Sequence, residues 1–251
     1  MYSLALPLTC ETQTNEVQMQ TALDALDTYG ADHVSGVICG NEVLLNAQNT
    51  PSAQSQVTTW LGDKISTMRS SLESLNLGKT LPVGVGDAGA WITTALAEVA
   101  DELFANEHPF FGGVPADEGA AWTWEFNENN PVPAAEAASN NPPVYIAEIG
   151  WPTGSENPAN LTYEGATASI ADLQIMLDTY VCAANANGSE YFWFVPFDEP
   201  WKVIFDATED HWGMMTVCLI DLRCRPVCEL IRHLQVNKRV KDGITLPNCP
   251  L

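Results

Sequence analysis

The run Val144-Tyr145-Ile146-Ala147-Glu148-Ile149-Gly150-Trp151-Pro152 constrains this chain more than any other stretch. Its apolar, partly β-branched residues suit a strand buried on both faces, as in a parallel sheet. The chain then breaks at Gly150 and Pro152, which leaves Glu148 near the strand's end. In a (β/α)8 barrel the C-terminal strand ends carry the chemistry. A lone carboxylate at such a place also suits a purely structural role.

A second stretch repeats the pattern. Val34-Ser35-Gly36-Val37-Ile38-Cys39-Gly40-Asn41-Glu42-Val43 is an apolar strand with Glu42 at its end. Residues 81–87, 102–106 and 191–197 add three more strand-like runs, which deliver Asp87, Asn106 and then Asp198-Glu199 to their ends. Between them, apolar residues recur at helical spacing over 14–29 and from Pro51 to Leu75. Further helices are expected over 91–99, 116–128 and 162–184, the last capped by Thr162. The Asn/Pro-rich stretch 129–143 reads as a loop. Strands alternating with helices predict an α/β fold with a parallel sheet.

Two carboxylates at the ends of two buried strands are what retaining glycoside hydrolysis uses. One attacks the anomeric carbon. The other protonates the leaving oxygen and then deprotonates the acceptor, from a position about 5–5.5 Å away. Asn41, beside Glu42, is suited to hydrogen-bond a sugar hydroxyl. Asp87 has two equal readings: a sugar contact or a loop anchor. Phe110 and Phe111 are equally compatible with sugar-stacking surface and with plain core.

Five motifs stand in one order along the chain: Gly40-Asn41-Glu42-Val43, Asn106-Glu107-His108-Pro109-Phe110-Phe111, Glu148-Ile149-Gly150-Trp151-Pro152, Phe197-Asp198-Glu199-Pro200-Trp201-Lys202 and His211-Trp212-Gly213. Each is weak alone. Together, over roughly residues 14–216 plus a short tail, they resemble glycoside hydrolase family 17, in its fungal branch of cell-wall β-1,3-glucanases and glucanosyltransferases. The resemblance implies a (β/α)8 TIM barrel in which Glu42 is the acid/base and Glu148 the nucleophile. Asn41, Asp87, Asn106, His108, Phe111, Trp151, Glu199, Trp201 and Lys202 then become candidate substrate-binding residues. His108 is expected to be a hydrogen-bonding group rather than the proton carrier. Glu199 and Lys202 suit a structural ion pair, but the motif's place in the family, by the active centre, favours tuning of the catalytic carboxylates. The expected partner is β-1,3-glucan, as polysaccharide or oligosaccharide, and the expected location is secreted or cell wall. The mechanism requires no metal and no cofactor.

Composition agrees with a neutral partner. The formal net charge is −22, with only 10 Lys and Arg. Such a surface repels nucleic acid and anionic membrane. No run is long enough for a transmembrane helix, and the first ten residues make a poor signal peptide. Seven Cys is an odd number, so at least one thiol is unpaired or pairs between chains. Cys39, inside an apolar strand, reads as a buried thiol. Asn160-Leu161-Thr162 and Asn187-Gly188-Ser189 are glycosylation acceptors if the chain is secreted.

The chain departs from the family twice. Family members place three strands ahead of the Asn-Glu strand, whereas the segment before Val34 offers one helix and at best one short strand near Tyr2–Leu8. The expectation is therefore one domain over 1–251, an N-terminally shortened barrel lacking its first strands. The second departure is 218–236, an atypical insertion holding Cys218, Cys224 and Cys228. A zinc site from these and His233 is the weaker reading, because the spacing is irregular. A translated non-coding insertion or a surface loop is the stronger one. The rival to an active enzyme is an inactive fragment that still binds β-glucan or does not fold alone.

Overall fold

The computed structural model describes residues 2–6, 12–47, 51–205, 208–218 and 237–249. They form two compact units, Met1–Glu107 with Trp124–Ala147, and His108–Thr123 with Glu148–Leu251. Among the described residues no helix is long and apolar enough to cross a membrane.

The first unit runs through β1 (Tyr2–Leu6), α1 (Thr12–Tyr29), β2 (Val34–Asn41), α2 (Val43–Asn46), α3 (Pro51–Ser74), β3 (Val83–Ala88), α4 (Thr94–Ala97) and β4 (Leu103–Asn106). It closes with the end of α5 (Ala116–Asn129), with α6 (Pro131–Glu136) and with most of β5 (Val144–Ile149). Its strands follow one another in the order β1-β2-β3-β4-β5. The pairs β1/β2, β2/β3 and β3/β4 are parallel, as crossover helices between successive strands require. Asn15, Met19, Ala22 and Leu26 of α1 are buried at alternating spacings of four and three, and so are Leu61, Ile65, Met68 and Leu72 of α3. That is the stripe by which an amphipathic helix covers a sheet. Val83 and Val85 of β3 and Leu103 and Ala105 of β4 complete this core. Gly84 lets β4 come close: a Cβ there would lie 2.6 Å from the Phe104 ring and 2.8 Å from Glu102 O.

The second unit holds the end of β5, the hairpin β6 (Thr162–Tyr163) with β7 (Ala166–Thr167), α7 (Ile170–Asn187), β8 (Tyr191–Trp193), and the antiparallel pair β9 (Met215–Cys218) and β10 (Asn237–Val240). Phe194 N–H donates to Ile149 O at 2.8 Å, so β8 continues from the end of β5. Leu173, Met176, Leu177, Tyr180 and Ala184 of α7 are buried. Cys182 and Cys249 form a disulfide, and the free Cys39 is buried as expected.

The α/β character and the five anticipated strands stand, and Tyr2–Leu6 adds a sixth. Six strands, rather than the eight of a closed (β/α)8 barrel, come from the described residues. Several helix bounds need correction. The stretch 91–99 forms only the single turn α4, with Thr93 Oγ1 accepting from Leu96 N. Residues 129–143 are not all loop: Pro131 opens α6, where its missing N–H costs nothing. Thr162 does not cap a helix. It starts the hairpin that turns at Glu164-Gly165, and Ser169 caps α7 instead. At the insertion, β9 and β10 pair with Cys218 opposite Asn237, so the atypical stretch leaves and re-enters at facing ladder positions. Cys224, Cys228 and His233 lie outside the described residues.

Candidate active site

In the first unit, β2 ends at Asn41 and delivers Glu42 in a left-handed conformation, φ 54° and ψ 32°. Such a backbone is costly for a residue with a Cβ and marks a functional position more often than a random one. Glu42 N–H is held by Gly86 O at 3.1 Å, and Glu42 stands as the N-cap of α2. An acidic N-cap normally turns its carboxylate onto the first free N–H groups of the helix. Here Asp87 does so from β3, its carboxylate accepting from Leu44 N at 2.7 Å and Leu45 N at 3.2 Å, and also from Ala88 N at 3.0 Å. Glu42 therefore makes no capping bond, and its carboxylate is available elsewhere. Asn106 Nδ2 donates to Glu42 Oε1 at 2.9 Å and to Asn41 Oδ1 at 3.1 Å.

Asp87 itself is fully buried. Burial pushes its pKa up to about 6, against the pull of its three backbone N–H bonds. Of its two readings, the loop anchor matches these contacts. Glu107 follows Asn106 and is 1% exposed. Its Oε1 accepts from Asn127 Nδ2 at 2.7 Å, and its Oε2 finds no partner among the described residues. Desolvation pushes it up to about 8.

In the second unit, Glu148 Oε2 lies 3.1 Å from His108 Nε2. His108 Nδ1 is buried without a hydrogen-bond partner among the described residues. An Nε2–H that donates to Glu148 leaves Nδ1 as a bare acceptor, which costs less to bury than a stranded donor. The imidazole is boxed edge-on by Trp212, Phe194 and Phe111, with centroids 4.7, 5.4 and 6.2 Å away. Trp151 is fully buried, packs against Phe110 at 5.7 Å, and gives its Nε1–H to Thr167 O at 2.8 Å. Phe110 is buried too. Phe111 and Trp201 keep 45% and 61% of their surface exposed. Lys202 pairs with Glu199 at 2.7 Å, and its Nζ sits 4.7 Å over the Phe194 ring.

Asn41, Glu42 and Asn106 thus meet in one unit, with Asp87 behind them. Glu148 meets His108 in the other, where Glu199, Trp201 and Lys202 form a neighbouring group. Reading by motif passed over Glu107, Asn127, Phe194, Tyr163 and Lys241. Exposed Tyr163 lies 6.2 Å from Phe111. Lys241 Nζ reaches Asp198 Oδ1 at 2.7 Å and also contacts Thr153 Oγ1. Only Glu107 sat inside a quoted motif with a signal of its own, an acid beside two flagged neighbours.

Comparison with known proteins gives the family and the fold. The profile of the BtgE/BtgC glycoside hydrolase domain matches residues 4–213. The glucan endo-1,3-beta-glucosidase btgC of Emericella nidulans is 32% identical over 250 residues, covering 95% of this chain and 34% of that protein. The btgC protein of Aspergillus fumigatus is 35% identical over 252 residues, covering 94% and 33%. The chain therefore spans about a third of the length of these curated relatives. Among solved structures, the glycoside hydrolase family 17 beta-1,3-glucanosyltransferase of Rhizomucor miehei superposes with a TM-score of 0.66 at 19% identity, over 97% of this chain and 75% of that one. An endo-laminarinase from Formosa Hel1_33_131 gives 0.65 at 20% identity, over 84% and 62%. At these identities the likeness shows the fold, that of the α/β barrels, here incomplete.

Proposed function

Since the chain belongs to the BtgE/BtgC glycoside hydrolase family, we propose that it is a retaining glycosidase module acting on β-1,3-glucan, by hydrolysis or by transfer to another glucan. The observation that carries this reading is how the two strand-end carboxylates are treated. Each meets a side-chain hydrogen-bonding group, Asn106 at Glu42 and His108 at Glu148. Glu42 is spared the capping duty that Asp87 performs. In this proposal Glu148 attacks the anomeric carbon while Glu42 protonates the departing glycosidic oxygen. Glu42 then takes a proton from water or from a sugar hydroxyl, which attacks the same carbon and releases Glu148. Asn41 hydrogen-bonds a sugar hydroxyl. Exposed Phe111 and Trp201 offer ring faces to sugars, and buried Trp151 and the Glu199–Lys202 pair hold the loops behind them.

The names of the btgC relatives, glucan endo-1,3-beta-glucosidases, support the linkage. So does the Rhizomucor miehei enzyme, whose active-site mutant was solved in complex with laminaritriose. The Cys182–Cys249 disulfide supports an oxidising location such as the cell wall.

The test is turnover of a soluble β-1,3-glucan by this chain and by its Glu148→Gln variant. Turnover in the parent, absent in a variant that still binds laminari-oligosaccharides, is the expected result. Undiminished turnover in the variant overturns the nucleophile assignment. The six-strand sheet favours one rival, an inactive glucan-binding fragment. Oligosaccharide binding by a parent that shows no turnover would select it.

A further inference from the structure

The second unit brings three further metal-ligating side chains together. They are Glu156 from the loop after β5, and Asp210 and His211 from the short turn before Trp212. One ligand atom from each lies within 4.8 Å of the others. His211 Nε2 is 3.6 Å from Glu156 Oε1 and 3.5 Å from Asp210 Oδ2. These separations are long for N–H···O bonds, which close to about 2.7–3.2 Å. These two separations match edges of a metal polyhedron, and the third, between Glu156 and Asp210, is within 4.8 Å. Zn–N near 2.0–2.1 Å and Zn–O near 2.0–2.2 Å at tetrahedral angles put neighbouring donors about 3.3–3.5 Å apart.

The supporting structure around the cluster is fixed. Thr153 donates to His211 O through both its N–H and its Oγ1, each at 2.8 Å. Asp210 is 6% exposed, so one carboxylate of the trio is withdrawn from water beside His211. The Glu156 carboxylate, 70% exposed, closes the outer side. In a chain with a net charge of −22, a cation there meets a favourable field.

We infer that Glu156, Asp210 and His211 form a divalent-cation site, with Zn²⁺ as the fitting ion and water in the remaining position. One imidazole with two carboxylates suits Zn²⁺ better than Ca²⁺ or Mg²⁺, which take oxygen ligands. The ion is a brace, outside the proposed chemistry. It ties the loop after the Glu148 strand to the turn whose next residue, Trp212, packs on His108.

The experiment titrates the full chain with Zn²⁺ by calorimetry and follows its melting temperature with and without chelator. Co²⁺ replaces Zn²⁺ for absorption spectra. The expected result is one ion per chain, a higher melting temperature, and a Co²⁺ spectrum without thiolate charge-transfer bands. Glu156→Gln, at an exposed position that spares the fold, weakens binding at least tenfold, and His211→Ala abolishes it. Absence of binding overturns the inference. So does a thiolate band, which would place the ion on cysteines, or affinity unchanged in Glu156→Gln and His211→Ala.

Discussion

Glu107 shows what a single residue contributes beyond its motif. The family resemblance marks Asn106 and His108 on either side of it as candidate substrate-binding residues. Sequence reading passed over Glu107 because nothing local reveals burial. Its folded value of about 8 lies above the ordinary carboxylate range near 4.3, so between those pH values the folded state binds a proton that the unfolded chain lacks. Stability from this group is complete below the lower value and is lost as pH rises through about 8. Glu107→Gln keeps an oxygen for Asn127 and removes the titration. Denaturant melts should show the variant more stable than the parent by about 2 kcal/mol at pH 8.5 and within about 1 kcal/mol at pH 5. An unchanged difference between the two pH values would mean that Glu107 does not titrate in this window. Asp87 carries a similar lesson. Its two sequence readings were balanced, and three backbone N–H bonds match the anchor. Asp87→Ala should cost about 2–3 kcal/mol in a urea melt, because buried donors lose their acceptor. It should also lower kcat more than KM, since the turn that presents Glu42 loosens.

At the scale of elements, long periodic stretches were legible and short ones were not. The stripes of α1 and α3 are recorded in the chain's own spacing, and so are the apolar runs of β2 and β5. The start of α7 was misplaced because Thr162 and Ser169 are both acceptable caps. Only the pairing of Thr162 with Thr167 and Tyr163 with Ala166 assigns the job to Ser169. Its Oγ accepts from Asp172 N at 3.0 Å and donates to Asp172 Oδ2 at 2.6 Å. Ser169→Ala should therefore cost about 1 kcal/mol of stability, while exposed Thr162→Ala stays within about 0.5 kcal/mol. Equal losses in a chemical melt would return the cap to Thr162. The α4 region was overread for a related reason: Trp91 to Val99 has helical apolar spacing, but a 3-10 turn at Gly89–Trp91 and the Thr93 cap leave room for one helical turn.

For the whole molecule, the Cys182–Cys249 bridge closes a span of 67 residues. Loop-closure entropy alone puts its contribution at about 4 kcal/mol. The Cys182→Ala/Cys249→Ala pair should lower the melting temperature by several degrees, and reductant should do the same to the parent but not to the variant. A parent insensitive to reductant would show the bridge to be energetically idle. No count of seven cysteines could have chosen this pair, because partners are selected by which strands and helices come within bonding distance. The sequence by itself determined the alternation of strand and helix, the strand-end placement of Glu42 and Glu148, and the family pattern that joins them. Those are local properties: hydrophobic period, β-branching, and Gly or Pro at the breaks. Tertiary structure alone decided that Asp87 caps α2 and releases Glu42, and that His108 Nε2 meets Glu148. It also decided that Glu107 is buried and that Glu156 meets His211. Each of these depends on residues far apart in the chain whose environment exists only once the sheet and its loops have assembled, and neither the burial of a single polar side chain nor a long-range hydrogen bond is written in local residue order.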